Sequence, residues 1–241
     1  MVSVVIVTHN RAKYLPTTIE SVLKQTMADL ELIIVDDGST DNTAELVQSI
    51  DDDRIRYIYR EKGDTIGAVR KFSLTQARGK YIAHIDSDDL WYADKLELQL
   101  KAMQDLQVAV CLSTYQFFHD DRIPATPAYP TPAAAQKLNI LIPYLKGVFR
   151  GSAFLQNLMF ERACLERIPF AEPPWDIGES VFLAKLYADH DIAYIDSPLT
   201  LIRRHQSNFT KVFHISPYYE HITSLDYYYA QGRVERRVYK N

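Results

Sequence analysis

Glycine is scarce in this chain, at eight of 241 residues, roughly half the usual share of ~7%. Neither a GxGxxG nor a GxxxxGK-S/T segment occurs, so a glycine-rich phosphate cradle is excluded. Cysteine is scarcer still. Cys111 and Cys164 stand far apart without CxxC spacing, which excludes a cysteine-pair zinc site and a disulfide framework. A reducing cytosol is the simplest compartment for such a chain. No stretch approaches the roughly 18 consecutive apolar residues of a membrane-crossing helix. The first residues lack the basic start and small-residue cleavage site of a signal peptide. A cytoplasmic location is therefore expected, with peripheral attachment to the inner membrane face left open. A positive excess is missing too: 27 Lys+Arg face 31 Asp+Glu, a net charge of −4. That excludes a strongly basic nucleic-acid binder, and no nucleic-acid partner is expected.

What is present suits one large folded domain. Apolar residues make up 47% and charged residues 24%, both ordinary for a globular protein. A chain this long buries about 70–75% of its unfolded surface and needs neither disulfides nor a structural metal. Tyrosine is plentiful at 16, and the end of the chain is especially rich in it.

Residues 2–7 form a nearly continuous apolar run, as a central parallel strand buried on both faces requires. Helix 12–25 follows, with Ile19, Val22 and Leu23 on one face. Strand 30–35 and helix 41–50 come next, the helix capped by Thr40 or Asp41. Strand 55–59, helix 66–77, strand 81–85, helix 94–106 and strand 108–115 complete this half. Such alternation predicts the α/β class, with a mostly parallel central sheet and helices on both faces. The second half is less regular. Residues 123–143 hold five of the eleven prolines and begin as an extended loop. A strand at 154–160, a helix at 179–189 and short strands at 192–195 and 199–202 follow. A tyrosine-rich helix at 214–230 precedes a basic tail with Arg233, Arg236, Arg237 and Lys240. The tyrosines suit helix packing or a homodimer surface, the tail a solvated end or anionic headgroups.

Open parallel sheets bind ligands beyond the carboxyl ends of their strands. The first strand runs into Thr8-His9-Asn10-Arg11, the second into Asp36-Asp37-Gly38-Ser39-Thr40-Asp41, the fourth into Asp86-Ser87-Asp88-Asp89. Each alone reads equally well as a capped or solvated turn. Together they gather like charges that need a cation, a proton or hydrogen-bond donors. Mg²⁺ or Mn²⁺ fits best, since both prefer carboxylate oxygens and take substrate phosphates into the shell. Asp51-Asp52-Asp53 follows a helix instead and reads as a solvated turn.

These segments resemble the family 2 glycosyltransferases of the GT-A, Rossmann-like fold. Residues 2–11, Ser21-Val22-Leu23-Lys24-Gln25-Thr26, residues 35–41, Ala77-Arg78-Gly79-Lys80-Tyr81-Ile82-Ala83 and residues 86–91 carry the match. Residues 195–199 and 203–208 continue it more weakly. The resemblance implies a catalytic domain over residues 1–213, with a nucleotide-sugar donor half at 1–105 and an acceptor half at 106–213. Residues 214–241 would form a C-terminal helix and tail. It further implies transfer of a sugar, with inversion, from a nucleotide-diphosphate donor (a UDP-sugar foremost) to a glycan or lipid-linked acceptor in polysaccharide or cell-envelope synthesis. Thr8, Asp36 and Asp37 would line the base and ribose pocket, with His9, Asn10, Arg11 and Ser87 around the donor. Asp86-Ser87-Asp88 is the DxD element: Asp86 would face ribose or a metal-bound water, and Asp88 would ligate the ion. His205 matches a family histidine near the metal or diphosphate, and Arg70 an arginine near the donor.

The chain also departs from the pattern. Val7 and His9 stand where the family usually has Pro and Tyr, and Lys71 and Ser73 where it has Asn and Gly. Ser180 occupies the position of the family's catalytic Asp. Serine is no general base near pH 7 without a partner, so Glu179 is the first substitute and Asp176 the second. A degenerate homologue that binds nucleotide-sugar without efficient transfer is the competing reading. Trp175 and Trp91 are candidate stacking surfaces for the acceptor, Trp91 being equally suited to a core. A receiver-like phosphorylatable domain is excluded, because it expects an acidic pair after the first strand.

Overall fold

A computed structural model describes residues 1–62, 65–119, 134–141, 154–167 and 179–205. Strands are β1 (Val2–Thr8), β2 (Leu30–Asp37), β3 (Ile55–Arg60), β4 (Tyr81–Asp86), β5 (Leu90–Trp91), β6 (Val110–His119), β7 (Gln136–Leu138), β8 (Leu158–Glu161) and β9 (Ile192–Arg204). Helices among the described residues are α1 (Leu15–Leu23), α2 (Thr43–Gln48), α3 (Ile66–Thr75), α4 (Lys95–Leu106), α5 (Ala163–Arg167) and α6 (Glu179–Asp189).

One mixed sheet runs β3-β2-β1-β4-β8-β6-β9-β5, with β7 added on β9. Its long ladders, β1 with β2 and β4, β2 with β3, and β6 with β9, are parallel. The antiparallel ladders are two or three residue pairs long. β8 is antiparallel to both β4 and β6, so those two strands point the same way. The carboxyl ends of β1, β2, β4, β6 and β9 therefore share one edge.

Period-two alternation along each strand builds two cores. Val5, Ile33, Val35 and Ile82 pack with Val69 and Leu74 of α3 and Phe182 of α6. Val4, Ile6, Ile34 and Ile85 pack on the other face with Ile19 and Val22 of α1 and Leu96 and Met103 of α4. The expected α/β sheet with helices on both faces is what forms.

Several boundaries differ, each for a local reason. α1 begins at Leu15 rather than residue 12, because Asn10 is left-handed (φ 52°) and Tyr14 and Leu15 donate their amides to the Arg11 carbonyl. α2 starts at Thr43, with Asp41 accepting from that residue's amide at 3.1 Å. Residues 154–157 form a 3₁₀ turn (Leu155–Asn157) before β8, not a strand. The two short strands expected near the end are one, β9, whose register against β6 shifts around Thr114, opposite Pro198. Proline cannot donate to a ladder, and such a shift is where a strand tolerates it. Trp91 is 4% exposed and packs in the α1/α4 core beneath Lys95, so it is a core residue and no acceptor platform.

Candidate active site

The turns after β1 and β2 are laced into one unit. Asn10 Oδ1 accepts from the Thr40 amide at 2.8 Å and the Asp41 amide at 3.3 Å, and the Asn10 amide donates to Ser39 Oγ at 2.8 Å. Gly38 is also left-handed (φ 73°), and a Cβ there would lie 2.7 Å from the Lys62 backbone nitrogen. Glycine is thus needed at that turn for two separate reasons. Lys62 Nζ sits 2.8 Å from His9 Nε2, which brings the segment after β3 to the same edge.

Strand parity separates the two acids of β2. Asp36 is wholly buried, accepting from the Ser39 amide at 2.8 Å and the Tyr57 hydroxyl at 2.6 Å. Burial and the adjacent Asp36 carboxylate together push the Tyr57 phenol well above its ordinary range. Thr8, paired in register with Asp36, is likewise buried. Asp36 therefore holds the turn, while Thr8 beside it keeps a buried Oγ1 with no hydrogen-bond partner among the described residues. Asp37, one residue on, points to the opposite face, the side of α3.

The acid turn after β4 is the electrostatic centre. Asp86 Oδ1 accepts from Arg70 Nη2 of α3 at 3.2 Å. Asp88 Oδ2 lies 2.9 Å from His205 Nε2, beyond the end of β9, and 3.6 Å from Arg11 Nε. The His205 ring stacks on Tyr14 with centroids 4.5 Å apart. Burial first, and the Asp86 charge second, raise the Asp88 carboxyl above the usual range. Asp89 is buried, accepts from the Arg203 amide at 2.9 Å and is raised further by burial and both neighbouring acids. Arg203 donates to the Asp88 carbonyl at 2.7 Å and to Thr17 Oγ1 at 3.2 Å. Ser87 is buried, and its carbonyl accepts from Thr18 Oγ1 at 3.1 Å. Crowded carboxylates of this kind attract a proton or a cation.

The expected metal shell was Asp86, Asp88 and His205. Among the described residues no three such side chains converge, and Asp86 is held by Arg70 instead. The Asp88–His205 pair remains. One carboxylate oxygen and one imidazole nitrogen at 2.9 Å fit two positions of a Mn²⁺- or Mg²⁺-type shell, the rest falling to diphosphate and water oxygens.

Three residues here escaped the sequence reading. Arg203 ties β9 to the acid turn, and Lys62 props the Gly38 turn. His84 faces the α3 side of β4 with Nδ1 3.9 Å from Asp86 Oδ1 and is 1% exposed, and among the described residues neither ring nitrogen has a hydrogen-bond partner. Burial depresses the His84 imidazole to about 4, so it is neutral at pH 7. An alternating apolar pattern conceals such a histidine. Glu179 is the first residue of α6, whose buried Phe182 packs against Phe160 of β8. Asp176, Trp175 and the tyrosine-rich end lie outside the described residues.

The fold and this edge define a Rossmann-like sheet whose carboxyl ends gather Asp86, Asp88 and Asp89 with Arg70, Arg11, Arg203 and His205. The family model described as "Glycosyl transferase family 2" matches residues 3–154, and the chain belongs to that family. It is similar to the putative teichuronic acid biosynthesis glycosyltransferase TuaG of Bacillus subtilis (strain 168), 38% identical over 126 residues, 52% of this chain and 50% of that one. It is also similar to the UDP-Glc:alpha-D-GlcNAc-diphosphoundecaprenol beta-1,3-glucosyltransferase WfgD of Escherichia coli, 35% identical over 123 residues, 51% of this chain and 49% of that one. The match thus spans about half the length of these two relatives. Among solved structures, S. aureus TarS 1-349 in complex with UDP-GlcNAc superposes with a TM-score of 0.72, at 22% identity, over 92% of this chain and 64% of that one. At that identity the likeness establishes the fold, which is the expected GT-A type.

Proposed function

We propose that the protein transfers a sugar from a UDP-sugar to a glycan or lipid-linked acceptor in cell-envelope glycan synthesis, with inversion and with a divalent cation. The observation that carries this reading is the Asp88–His205 pair, at 2.9 Å, set between Arg11 and Asp86 at the sheet's carboxyl edge. The roles of the two relatives, one a UDP-glucose transferase to a diphosphoundecaprenol-linked sugar, and the UDP-GlcNAc bound to TarS suggest the donor and acceptor classes.

Each part has a chemical task. A diphosphate leaves poorly until the charge building on it is neutralised. When bound at Asp88 and His205, Mn²⁺ or Mg²⁺ would supply that neutralisation as a Lewis acid. Arg70 and Arg11 add positive charge on either side of the same turn. In this reading Asp37 and His9 face the donor, while Asp36 and Gly38 fix the turn that presents them. Glu179, opening α6, is the proposed base that takes the acceptor hydroxyl's proton as its oxygen attacks the anomeric carbon opposite the leaving diphosphate. Peripheral association with the inner membrane face would bring a lipid-linked acceptor within reach. Among the described residues no helix is long and apolar enough to cross a membrane.

Titration of UDP, GDP and dTDP with and without Mn²⁺, followed by donor hydrolysis, tests the reading. UDP binding that requires metal is expected. Failure of all three nucleotides to bind with metal present would sink the proposal. Binding without turnover, even with acceptor extracts, would favour a degenerate nucleotide-sugar binder, the reading that Ser180 motivates. Glu179→Gln should lower kcat about 100-fold or more with little change in donor affinity; an unchanged rate would move the base to Asp176.

A further inference from the structure

Four large hydrophobic side chains among the described residues are more than a third exposed: Met1, Tyr59, Phe117 and Phe154. Met1 is the first residue and Tyr59 lies on the edge strand β3. Phe117 and Phe154, at 43% and 42%, share one cluster. Tyr115 joins them, its ring centroid 4.9 Å from Phe117 edge-on and 5.6 Å from Phe154. The Arg204 guanidinium lies 3.8 Å over the Phe117 ring.

Register places this cluster at the edge that carries the acid turn. Ala83 of β4 pairs with Met159 of β8, and Met159 with Cys111 of β6. Four residues on from Cys111 is Tyr115, and four on from Ala83 is Ser87. Tyr115 thus stands level with the middle of Asp86-Ser87-Asp88, and Phe117 beyond it. Phe154 reaches the same level from the other direction, through the 3₁₀ turn that leads into β8. That turn is anchored: Leu155 is buried, and the Gln156 carbonyl accepts from Thr200 Oγ1 at 3.3 Å.

We propose that Phe117 and Phe154, joined through Tyr115 and flanked by Arg204, form the platform on which a pyranose ring of the acceptor stacks. The inference rests on the transferase reading and names the part of the acceptor that this end of the sheet recognises. An aromatic face is electron-rich and attracts the polarised C–H face of a sugar ring, as it attracts other positive edges. A pyranose adds a rim of hydroxyls, and the cluster has a matching rim: Arg204 carries rigid N–H donors, and His119, two residues on from Phe117 and paired with Arg204, is exposed on the same face. A lipid chain wants a longer apolar tract than two phenyl rings with charged neighbours. A second copy of this chain wants far more area, since a stable interface buries about 1,200–2,000 Å².

The test is saturation-transfer NMR on the full chain with methyl β-D-glucopyranoside and methyl β-D-N-acetylglucosaminide, with and without UDP and Mn²⁺. In the wild type, irradiating aromatic protons should saturate the sugar ring C–H protons. The signal should fall at least fivefold in Phe117→Ala and in Phe154→Ala, and persist in Phe117→Tyr and Phe154→Tyr. UDP affinity should be unchanged in all four variants. No saturation of either sugar in the wild type, or equal saturation in the alanine variants, overturns the platform while UDP binding still stands. Loss of UDP binding by the wild type is the separate failure of the transferase reading. A wild-type dimer turned monomer by Phe117→Ala, or vesicle binding lost in that variant without a change in sugar saturation, would also overturn it.

Discussion

A carboxylate at the end of a strand is assigned its task by the face to which the pleat turns it. Asp36 and Asp37 are chemically identical neighbours, yet Asp36 spends both oxygens on Ser39 and Tyr57 while Asp37 faces the α3 side. Replacing Asp36 by Ala takes the acceptor from a half-buried amide and a half-buried hydroxyl, at about 1 kcal/mol each. Asp36→Ala should therefore lower the urea midpoint measurably, whereas Asp88→Asn should remove metal-dependent nucleotide binding and leave the midpoint nearly unchanged. Equal midpoints for the two variants would contradict this division. Gly38→Ala makes a related point, because it meets both a left-handed backbone and a 2.7 Å approach to Lys62. A loss of about 2 kcal/mol or more is expected from denaturant unfolding. The acid clusters themselves were legible in the sequence, since each follows an apolar run. Which acid of an adjacent pair is taken up by the turn was not, because parity depends on the residue where each strand ends.

At the scale of the element, α4 carries an unusual group. Of its apolar residues, Leu96 and Met103 are buried but Leu98 and Leu100 only partly so, while Gln99 and Lys95 are wholly buried. Lys95 Nζ lies over the Trp91 ring at 4.3 Å and donates to Gln99 Oε1 at 2.6 Å, while Gln99 donates to the Asn157 carbonyl at 2.8 Å. No pattern of apolar residues announces a buried lysine. Burial depresses the Lys95 amine to about 7 from its ordinary 10.5. Above pH 7 the unfolded chain therefore binds the proton that the folded chain has released, and stability rises with pH. The contribution is lowest below pH 7, where both states are charged and the folded one bears the cost of a buried cation. The useful window is about pH 7–8.5, because the Cys111 thiol, pushed up to about 12 by burial, opposes the trend where unfolded thiols ionise. Lys95→Met should flatten the rise of the urea midpoint across that window and be the more stable protein at pH 7. An equal slope in the variant would show that the amine is solvated. β9 teaches the complementary lesson. Its apolar runs were visible, but the shift around Pro198 broke the periodicity and made one strand look like two.

For the molecule as a whole, what matters is that a sheet with one continuous edge draws its site from both halves of the chain. The first half supplies Arg11, Arg70 and the Asp86–Asp88 turn, and the second returns along β9 to set Arg203 and His205 against that turn. The parallel βα order of residues 1–119 was legible because each strand and helix is local in sequence. The return of β9 was not, since it depends on antiparallel β8 standing between β4 and β6, and pairing between distant strands leaves no local mark. A ligand that bridges the two halves at this edge should stabilise the whole fold. Binding to the folded state alone contributes RT ln(1 + [L]/Kd), about 2.7 kcal/mol at a hundredfold excess over Kd. For a chain of this size that corresponds to a rise in Tm of roughly 5–10 °C. UDP with Mn²⁺ should produce such a shift in differential scanning fluorimetry, and UDP with EDTA a much smaller one. His205→Ala and Asp88→Asn should each abolish the difference between the two conditions. The two partners act on one ligand, so the double variant should lose no more than either single one. If His205→Ala kept the full metal-dependent shift, β9 would merely close the sheet, and Asp88 would take its cation without help from the second half.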